Sequence, residues 1–166
     1  MKKLLFAIAC FLLSNSIFAQ EQTRKFIPSI KIGVGTWLDE PSVFNSELGI
    51  QGEYKPVDRF SIYGGISFNR MFPIEEMSEG LNYFTFLAGP RVYITKSIFA
   101  GFGAGYALFV EEGFSDGVFA FNPHIGYDRP KTQWTINYTG LSDGGVIGNL
   151  SLGVAFKLGK NKKDGK

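Results

Sequence analysis

The sequence predicts an all-β fold: an eight-stranded, antiparallel, up-and-down transmembrane β-barrel that follows a cleaved signal peptide. Three observations predict this fold. Apolar residues recur with period two in eight successive segments, which is the spacing of strands with two different faces. The connections between the segments alternate between long and short. Glycine and aromatic residues are frequent, whereas only 19% of the residues are charged, below the level of about a quarter in soluble domains.

Residues 1–19 are arranged like a secretory signal peptide, with two lysines, an apolar stretch, and Ile-Phe-Ala ending at Ala19. We therefore expect cleavage after Ala19, a barrel domain over residues 20–159 and a basic periplasmic tail over residues 160–166. A lipoprotein interpretation would place cleavage before Cys10, but it would shorten the apolar stretch to six residues. The stretch is also too short for a stable membrane helix, which needs about 20 residues.

Removal of this peptide changes the charge balance. The full chain has 17 basic and 15 acidic residues, and cleavage removes two lysines, which leaves 15 of each. Nucleic-acid-binding domains usually show a clear basic excess, so we expect no nucleic-acid partner. Cleavage also removes Cys10, the only cysteine, so no disulfide is expected.

The first four segments each place apolar residues on one face. Residues 30–38 alternate Ile, Ile, Val, Thr and Leu with Lys, Gly, Gly and Trp. Residues 44–55 alternate more weakly, with Leu, Ile and Tyr against Glu, Gly, Gln and Glu. Residues 60–69 set Phe and Ile against Ser, Tyr, Gly and Asn, and residues 83–94 set Phe, Ala, Val and Ile against Tyr, Thr, Gly and Arg.

The last four segments repeat the pattern with a face of small or uncharged residues. Residues 98–108 oppose Ile, Phe, Tyr and Leu to three glycines, and residues 119–127 oppose Phe, Ile and Tyr to Ala, Asn, His and Gly. Residues 133–139 oppose Trp, Ile and Tyr to Gln, Thr and Asn, and residues 149–158 oppose Leu, Val and Phe to Asn, Ser, Gly, Ala and Lys. Most segments are close to the 9–11 residues with which a tilted strand crosses a bilayer.

The connections predict the orientation. The long ones are residues 39–43, 70–82, 111–117 and 141–146, and the short ones are residues 56–59, 95–97 and 128–131. Outer-membrane barrels have short periplasmic turns and longer outer loops. We therefore expect a bacterial outer-membrane location with both termini in the periplasm.

The nature of the second face indicates which face meets lipid. A water-exposed surface carries charged residues at roughly a quarter to a third of its positions, whereas this face is mostly small or uncharged in the later segments. Such residues suit the narrow interior of an eight-stranded barrel, so the apolar face, including Phe102, is expected to meet lipid. Pro90 and Pro123 each remove a backbone donor, and we expect local bulges there.

Three runs carry a resemblance to a known family. Phe86-Leu87-Ala88-Gly89-Pro90-Arg91-Val92-Tyr93 resembles the Gly-Pro-Arg strand common in the outer-membrane protein β-barrel domain family. Asn122-Pro123-His124-Ile125-Gly126-Tyr127 is similar to a later strand of that family, and Gly153-Val154-Ala155-Phe156-Lys157-Leu158 to its last strand. Size and loop order resemble the small OmpX- and OmpA-type barrels. The resemblance implies an outer-membrane location and no shared reaction. We expect a monomer that contacts outer-membrane lipids and lipopolysaccharide and is inserted by the barrel-assembly machinery.

Charged and polar residues on the inner face form a candidate lumen network, because buried charges are rarely left unpaired. The structural interpretation is a salt-bridge plug, and the alternative is a small polar pore for small or hydrophobic molecules. The residues of the predicted network are Lys31, Glu47, Glu53, Arg91, Asn122, His124 and Lys157.

His124 is the only histidine and the one candidate for a general base. Barrel-type lipid A deacylases place a lipid-facing His two residues before a nucleophilic Ser, whereas here Gly126 follows and His124 is expected to face inward. We therefore expect no catalytic, cofactor-binding or metal site, and no cofactor. A lipid-modifying enzyme is the last of three functional hypotheses, after a non-enzymatic surface protein and a narrow pore or transporter.

Acidic residues dominate the predicted long loops, where Arg70 is the only basic residue. They are solubilising charges or a rim that binds divalent cations or a basic partner. The first functional hypothesis is therefore a non-enzymatic surface protein that presents these loops. The residues of the acidic outer rim are Asp39, Glu40, Glu75, Glu76, Glu79, Glu111, Glu112, Asp116 and Asp143.

Overall fold

The computed structural model describes residues 25–38, 43–73, 80–110, 114–142 and 144–158. The predicted signal peptide and the predicted basic tail lie outside these residues. Within them, no helix is long and apolar enough to span a membrane.

Eight antiparallel strands close into a barrel, in which each strand pairs with the next along the chain and the last pairs with the first. This topology confirms the predicted fold class. The strands are β1 Lys25–Trp37, β2 Val43–Val57, β3 Phe60–Pro73, β4 Asn82–Tyr93, β5 Ile98–Val110, β6 Phe114–Asp128, β7 Thr132–Ser142 and β8 Val146–Lys157.

Several strands extend beyond the segments that alternation predicts. β1 begins at Lys25 instead of residue 30, β3 continues to Pro73, and β6 begins at Phe114 instead of residue 119. Backbone pairing continues without an alternating pattern, as the bond from Met71 N to Leu81 O at 2.8 Å shows. Three of the four predicted long connections, those after β3, β5 and β7, are therefore shorter than the sequence pattern indicates.

The two faces of the barrel differ as predicted. Large apolar side chains on every strand are exposed on the outer surface, including Phe102, which is 49% exposed. At the end of the barrel that carries the longer loops, aromatic rings of neighbouring strands are in contact on this outer surface. These outer pairs are Phe44–Phe72, Phe68–Phe84, Tyr106–Phe119 and Phe121–Tyr138.

The bulges expected at Pro90 and Pro123 are absent, and this expectation was wrong. The β4–β5 ladder is interrupted beside Pro90 but keeps one register, and the β6–β7 ladder is likewise interrupted beside Pro123. A missing N–H removes a hydrogen bond without requiring an extra residue. The register shifts lie elsewhere, between Tyr54 and Val57 and between Leu108 and Val110.

Gly89 lies where β4 and β5 approach each other closely beside Pro90. A Cβ atom at this position would collide with the carbonyl oxygen of Phe102 and would lie 2.9 Å from Gly103 Cα. Both obstacles are backbone atoms, so a larger residue could not be accommodated by turning a side chain. The glycine is required for this strand contact.

Candidate functional site in the barrel lumen

The lumen-facing side chains converge on Arg91 of β4, which is almost completely buried. Its Nη1 donates hydrogen bonds to Glu53 Oε2 at 3.1 Å and to Gln133 Oε1 at 3.0 Å. Its guanidinium carbon lies 3.9 Å from the centre of the Tyr63 ring, which is a cation–π distance. Arg91 therefore connects side chains of β2, β3 and β7 and fills the lumen at this level.

Glu53 is the carboxylate at the centre of this cluster, and three donors surround it. Its Oε1 accepts a hydrogen bond from Tyr93 OH at 2.7 Å. Its Oε2 accepts from Arg91 and, at 3.1 Å, from Gln133 Nε2. A buried carboxylate is stable only with such partners, so these three donors account for a charged Glu53 inside the barrel.

His124 belongs to the same cluster, and its contacts indicate one neutral tautomer. Arg91 Nε donates to His124 Nε2 at 3.0 Å, so Nε2 acts as an acceptor. Nδ1 lies 3.1 Å from the carbonyl oxygen of Asn122 and must carry the proton. Because both ring nitrogens are engaged and buried, His124 supports the position of Arg91.

Two further ion pairs lie above and below this cluster. Lys31 Nζ lies 2.8 Å from Glu47 Oε1 and joins β1 to β2. Nearer the turns, Lys157 pairs with Asp128 and donates to the carbonyl oxygen of Arg129 at 2.8 Å. The described lumen thus carries ion pairs at three levels along its axis.

Asn122 replaces a backbone bond that Pro123 cannot make. Its Nδ2 donates to Thr139 Oγ1 at 2.8 Å and to the carbonyl oxygen of Tyr138 at 3.3 Å. Tyr138 lies opposite Pro123 in the register that holds on either side of the interruption. The side chain therefore keeps β6 and β7 connected where the ladder is broken.

Little open space is left between these groups. A cavity of about 30 Å³ lies between the Arg91 cluster and the Lys31–Glu47 pair, with Asn122 and Tyr63 in its wall. This volume holds about one or two water molecules. It is a small gap between the side chains that fill the lumen at this level.

Apolar side chains fill the lumen at the end of the barrel that carries the longer loops, in a layer that was not predicted from the sequence. Trp37, Tyr83 and Leu141 are buried together there, and the rings of Trp37 and Tyr83 meet edge to face at 6.2 Å. Above them is an apolar pocket of about 220 Å³ that Phe109 and Ile147 help to line. The alternation placed Trp37 on the inner face, but Leu141 was assigned to a loop because its strand was predicted too short.

All seven residues of the predicted network face the lumen. The structure pairs Lys31 with Glu47 and Arg91 with Glu53, whereas Lys157 pairs with Asp128. The prediction omitted four contributors: Tyr63, Tyr93, Asp128 and Gln133. Their inward positions follow from period two, which was the available signal, but their contacts with Arg91, Glu53 and Lys157 do not.

The predicted acidic rim lies outside what the structure describes. Asp116 falls within β6, but its side chain is not described, and the other eight rim residues lie outside the described ranges. Among the described residues, no group of three or more His, Cys, Asp or Glu side chains is arranged to hold a metal ion.

Solved structures show where else this architecture occurs. The N-terminal barrel domain of Pseudomonas aeruginosa OprF matches with a TM-score of 0.58 at 11% identity, covering 82% of this chain and all of that domain. A designed transmembrane β-barrel matches with a TM-score of 0.57 at 15% identity, covering 84% of this chain and all of that one. The Yersinia pestis attachment invasion locus protein, Ail, in complex with the heparin analogue sucrose octasulfate, matches with a TM-score of 0.52 at 15% identity, covering 82% of this chain and all of that one.

No family model and no curated protein sequence matches the chain. The structural similarities therefore establish the fold: a small β-barrel of the kind found in bacterial outer membranes and in designed membrane barrels.

Proposed function

We propose that this chain is a small integral protein of the bacterial outer membrane, without enzymatic activity, that presents acidic loops for a structural or interaction role. The observation that carries the membrane assignment is the apolar outer surface, to which all eight strands contribute exposed large side chains. Soluble monomers rarely expose contiguous apolar patches larger than a few hundred Å². Lipid is the solvent that suits such a surface, and closure leaves no unpaired strand edge within it.

The membrane assignment is tested by folding the protein into detergent or lipid and comparing gel migration before and after boiling. A closed membrane barrel migrates differently in the two states, and a single apparent size would contradict the assignment. The intact mass of the exported protein should be that of a chain that begins at Gln20. A protease-sensitive tag after residue 166 should be protected in intact cells and cleaved after the outer membrane is permeabilised, because we place both termini in the periplasm.

We place the interaction role at the outer loops. Ail, the attachment invasion locus protein, has the same fold, and one of its structures contains the heparin analogue sucrose octasulfate. The rim of this chain is acidic, so an anionic ligand is unsuited to it, and a basic partner or divalent cations fit better. Replacing Glu75, Glu76 and Glu79 by Gln should weaken calcium binding in calorimetry, and replacing Lys160, Lys162 and Lys163 by Gln is the control.

A conducting pore is the alternative, and the packed lumen is the observation against it. Arg91, Glu53 and Gln133 meet across the lumen, and the space beside them holds about one or two water molecules. We expect no steady single-channel openings in a planar bilayer. Stable single-channel openings of uniform size would contradict the plug and support the conducting pore.

The surroundings of His124 support the proposed absence of enzymatic activity. Its ring nitrogens are bonded to Arg91 and to the Asn122 carbonyl, and the position two residues later is glycine. A nucleophile and an available base are both needed for acyl transfer. The mass of lipid A should be the same with and without expression of the protein, and a lost acyl chain would overturn this part of the proposal.

A further inference from the structure

Another cavity lies at the turn end of the barrel, between the turn that joins β2 to β3 and the turn that joins β4 to β5. Its volume is about 510 Å³, within the range of about 300–1,000 Å³ typical of small-molecule sites. Three cations line it, Lys55, Arg59 and Lys96, and Tyr93 forms part of its inner wall. We call this cavity the turn cleft.

The turn cleft is positively charged. Asp58 is the one carboxylate among the described residues that line it. Whichever cation Asp58 neutralises, two positive charges remain. Lys55 Nζ lies 3.5 Å from the centre of the Tyr93 ring, which holds its ammonium group at the cleft. This charge suits a ligand with an anionic group such as a phosphate.

The turn cleft also opens onto the apolar outer surface. Ile94 lines it and is 66% exposed, and Val92 lies two residues further along the outward face of β4. On β3, Ile62 continues this apolar surface, because it pairs with Pro90 in the ladder. A ligand with a charged group in the cleft could therefore lay an apolar chain along the strands without leaving the barrel surface.

We propose that the turn cleft binds the phosphate of an anionic phospholipid, whose acyl chains lie along Val92 and Ile94. This inference rests on the proposed membrane location. The expected ligand is a phospholipid because we place the turns on the periplasmic side of the outer membrane, where the leaflet consists of phospholipid. The apolar continuation favours a lipid over a soluble phosphate or a cell-wall polymer, neither of which would use Ile94.

The proposal is tested by native mass spectrometry of the protein folded in detergent with equal amounts of phosphatidylglycerol and phosphatidylethanolamine. The intact chain should retain phosphatidylglycerol preferentially. The variant Arg59→Gln/Lys96→Gln should lower that preference about tenfold, because two cations near the anionic headgroup are lost. Arg129→Gln/Lys131→Gln is the matched control: it removes two exposed turn cations outside the cleft and should change the preference by less than about twofold.

Each outcome decides between the alternatives. An equal loss of the phosphatidylglycerol preference in both variants would indicate general attraction to the basic turns and contradict a specific site in the turn cleft. The absence of a preference for phosphatidylglycerol, or equally tight binding of glycerol phosphate, would contradict an anionic phospholipid as the ligand. Cell-wall binding in a pull-down with purified sacculi that is lost only in Arg59→Gln/Lys96→Gln, with lipid binding unchanged, would assign the cleft to that polymer.

Heat-modifiable migration of both variants keeps this test separate from the proposed function. Variants that fold into heat-modifiable barrels and show no lipid preference disprove the turn cleft alone. Failure of the unaltered protein to show heat-modifiable migration would instead count against the membrane barrel.

Discussion

Arg91 Nη1 and Glu53 Oε2 lie 3.1 Å apart in the lumen, although their strands are not neighbours. The strand between them, β3, contributes Tyr63, whose ring lies under the guanidinium group. Gln133 reaches both charged groups from β7. This pair therefore holds the barrel wall together across the lumen, in addition to the backbone ladders.

Replacing Arg91 by Met should destabilise the barrel strongly, because Glu53 would remain buried without its cation. Breaking a buried ion pair in this way costs about 3–5 kcal/mol. The double variant Arg91→Met/Glu53→Gln removes both charges and should recover much of that loss. The free energy of unfolding, measured by urea titration in lipid vesicles, tests both. A double variant as unstable as the single variant would show that packing of Arg91, rather than its charge, is what matters.

Phe102→Arg should destabilise the protein in lipid, because the side chain of Phe102 points outward from β5. A charged side chain near the middle of the bilayer costs a transmembrane barrel about 2–4 kcal/mol. Phe102→Leu keeps an apolar side chain and should change the free energy of unfolding by less than about 1.5 kcal/mol. If both variants unfolded at the same urea concentration in vesicles, the outward position of Phe102 would be wrong.

Gly89→Ala and Gly64→Ala form a matched pair with opposite expectations. A methyl group at Gly89 meets the backbone of Phe102 and Gly103, whereas at Gly64 the nearest atom is Ala88 Cβ at 3.7 Å. Forcing an extra methyl group into a packed site costs about 1–3 kcal/mol, so Gly89→Ala should unfold at clearly lower urea. Gly64→Ala should be close to neutral. Similar unfolding curves for the two would mean that β4 and β5 separate easily beside Pro90.

The faces of the strands could be predicted from the sequence, whereas the heights of the side chains in the lumen could not. Period two assigns Glu53 and Gln133 to the inner face by counting alone. Whether they meet depends on the stagger between β2 and β7, which is a property of the closed barrel. The apolar layer of Trp37 and Leu141 was missed for a different reason, because Leu141 was assigned to a loop whereas β7 continues to Ser142.

Proline shows a second limit of the sequence pattern. A missing N–H is visible in the sequence, but its remedy depends on neighbouring strands. At Pro123 the adjacent Asn122 side chain donates to Tyr138 O, so the register is kept. The register shifts lie instead at Tyr54–Val57, which contains Pro56, and at Leu108–Val110, which contains no proline.

The two tryptophans report on opposite faces of the barrel and allow a direct optical test. Trp134 is 44% exposed on the outer surface, whereas Trp37 is buried in the apolar layer inside the lumen. Trp37→Phe and Trp134→Phe each leave one tryptophan. In vesicles of lipids brominated along the acyl chain, emission from Trp134 should be strongly quenched, because bromine quenches only on close approach. Emission from Trp37 should change little, because the barrel wall separates it from lipid, and acrylamide added to the water should quench it weakly as well. Strong quenching of Trp37 by brominated lipid would place it outside the barrel and reverse the assigned faces of β1.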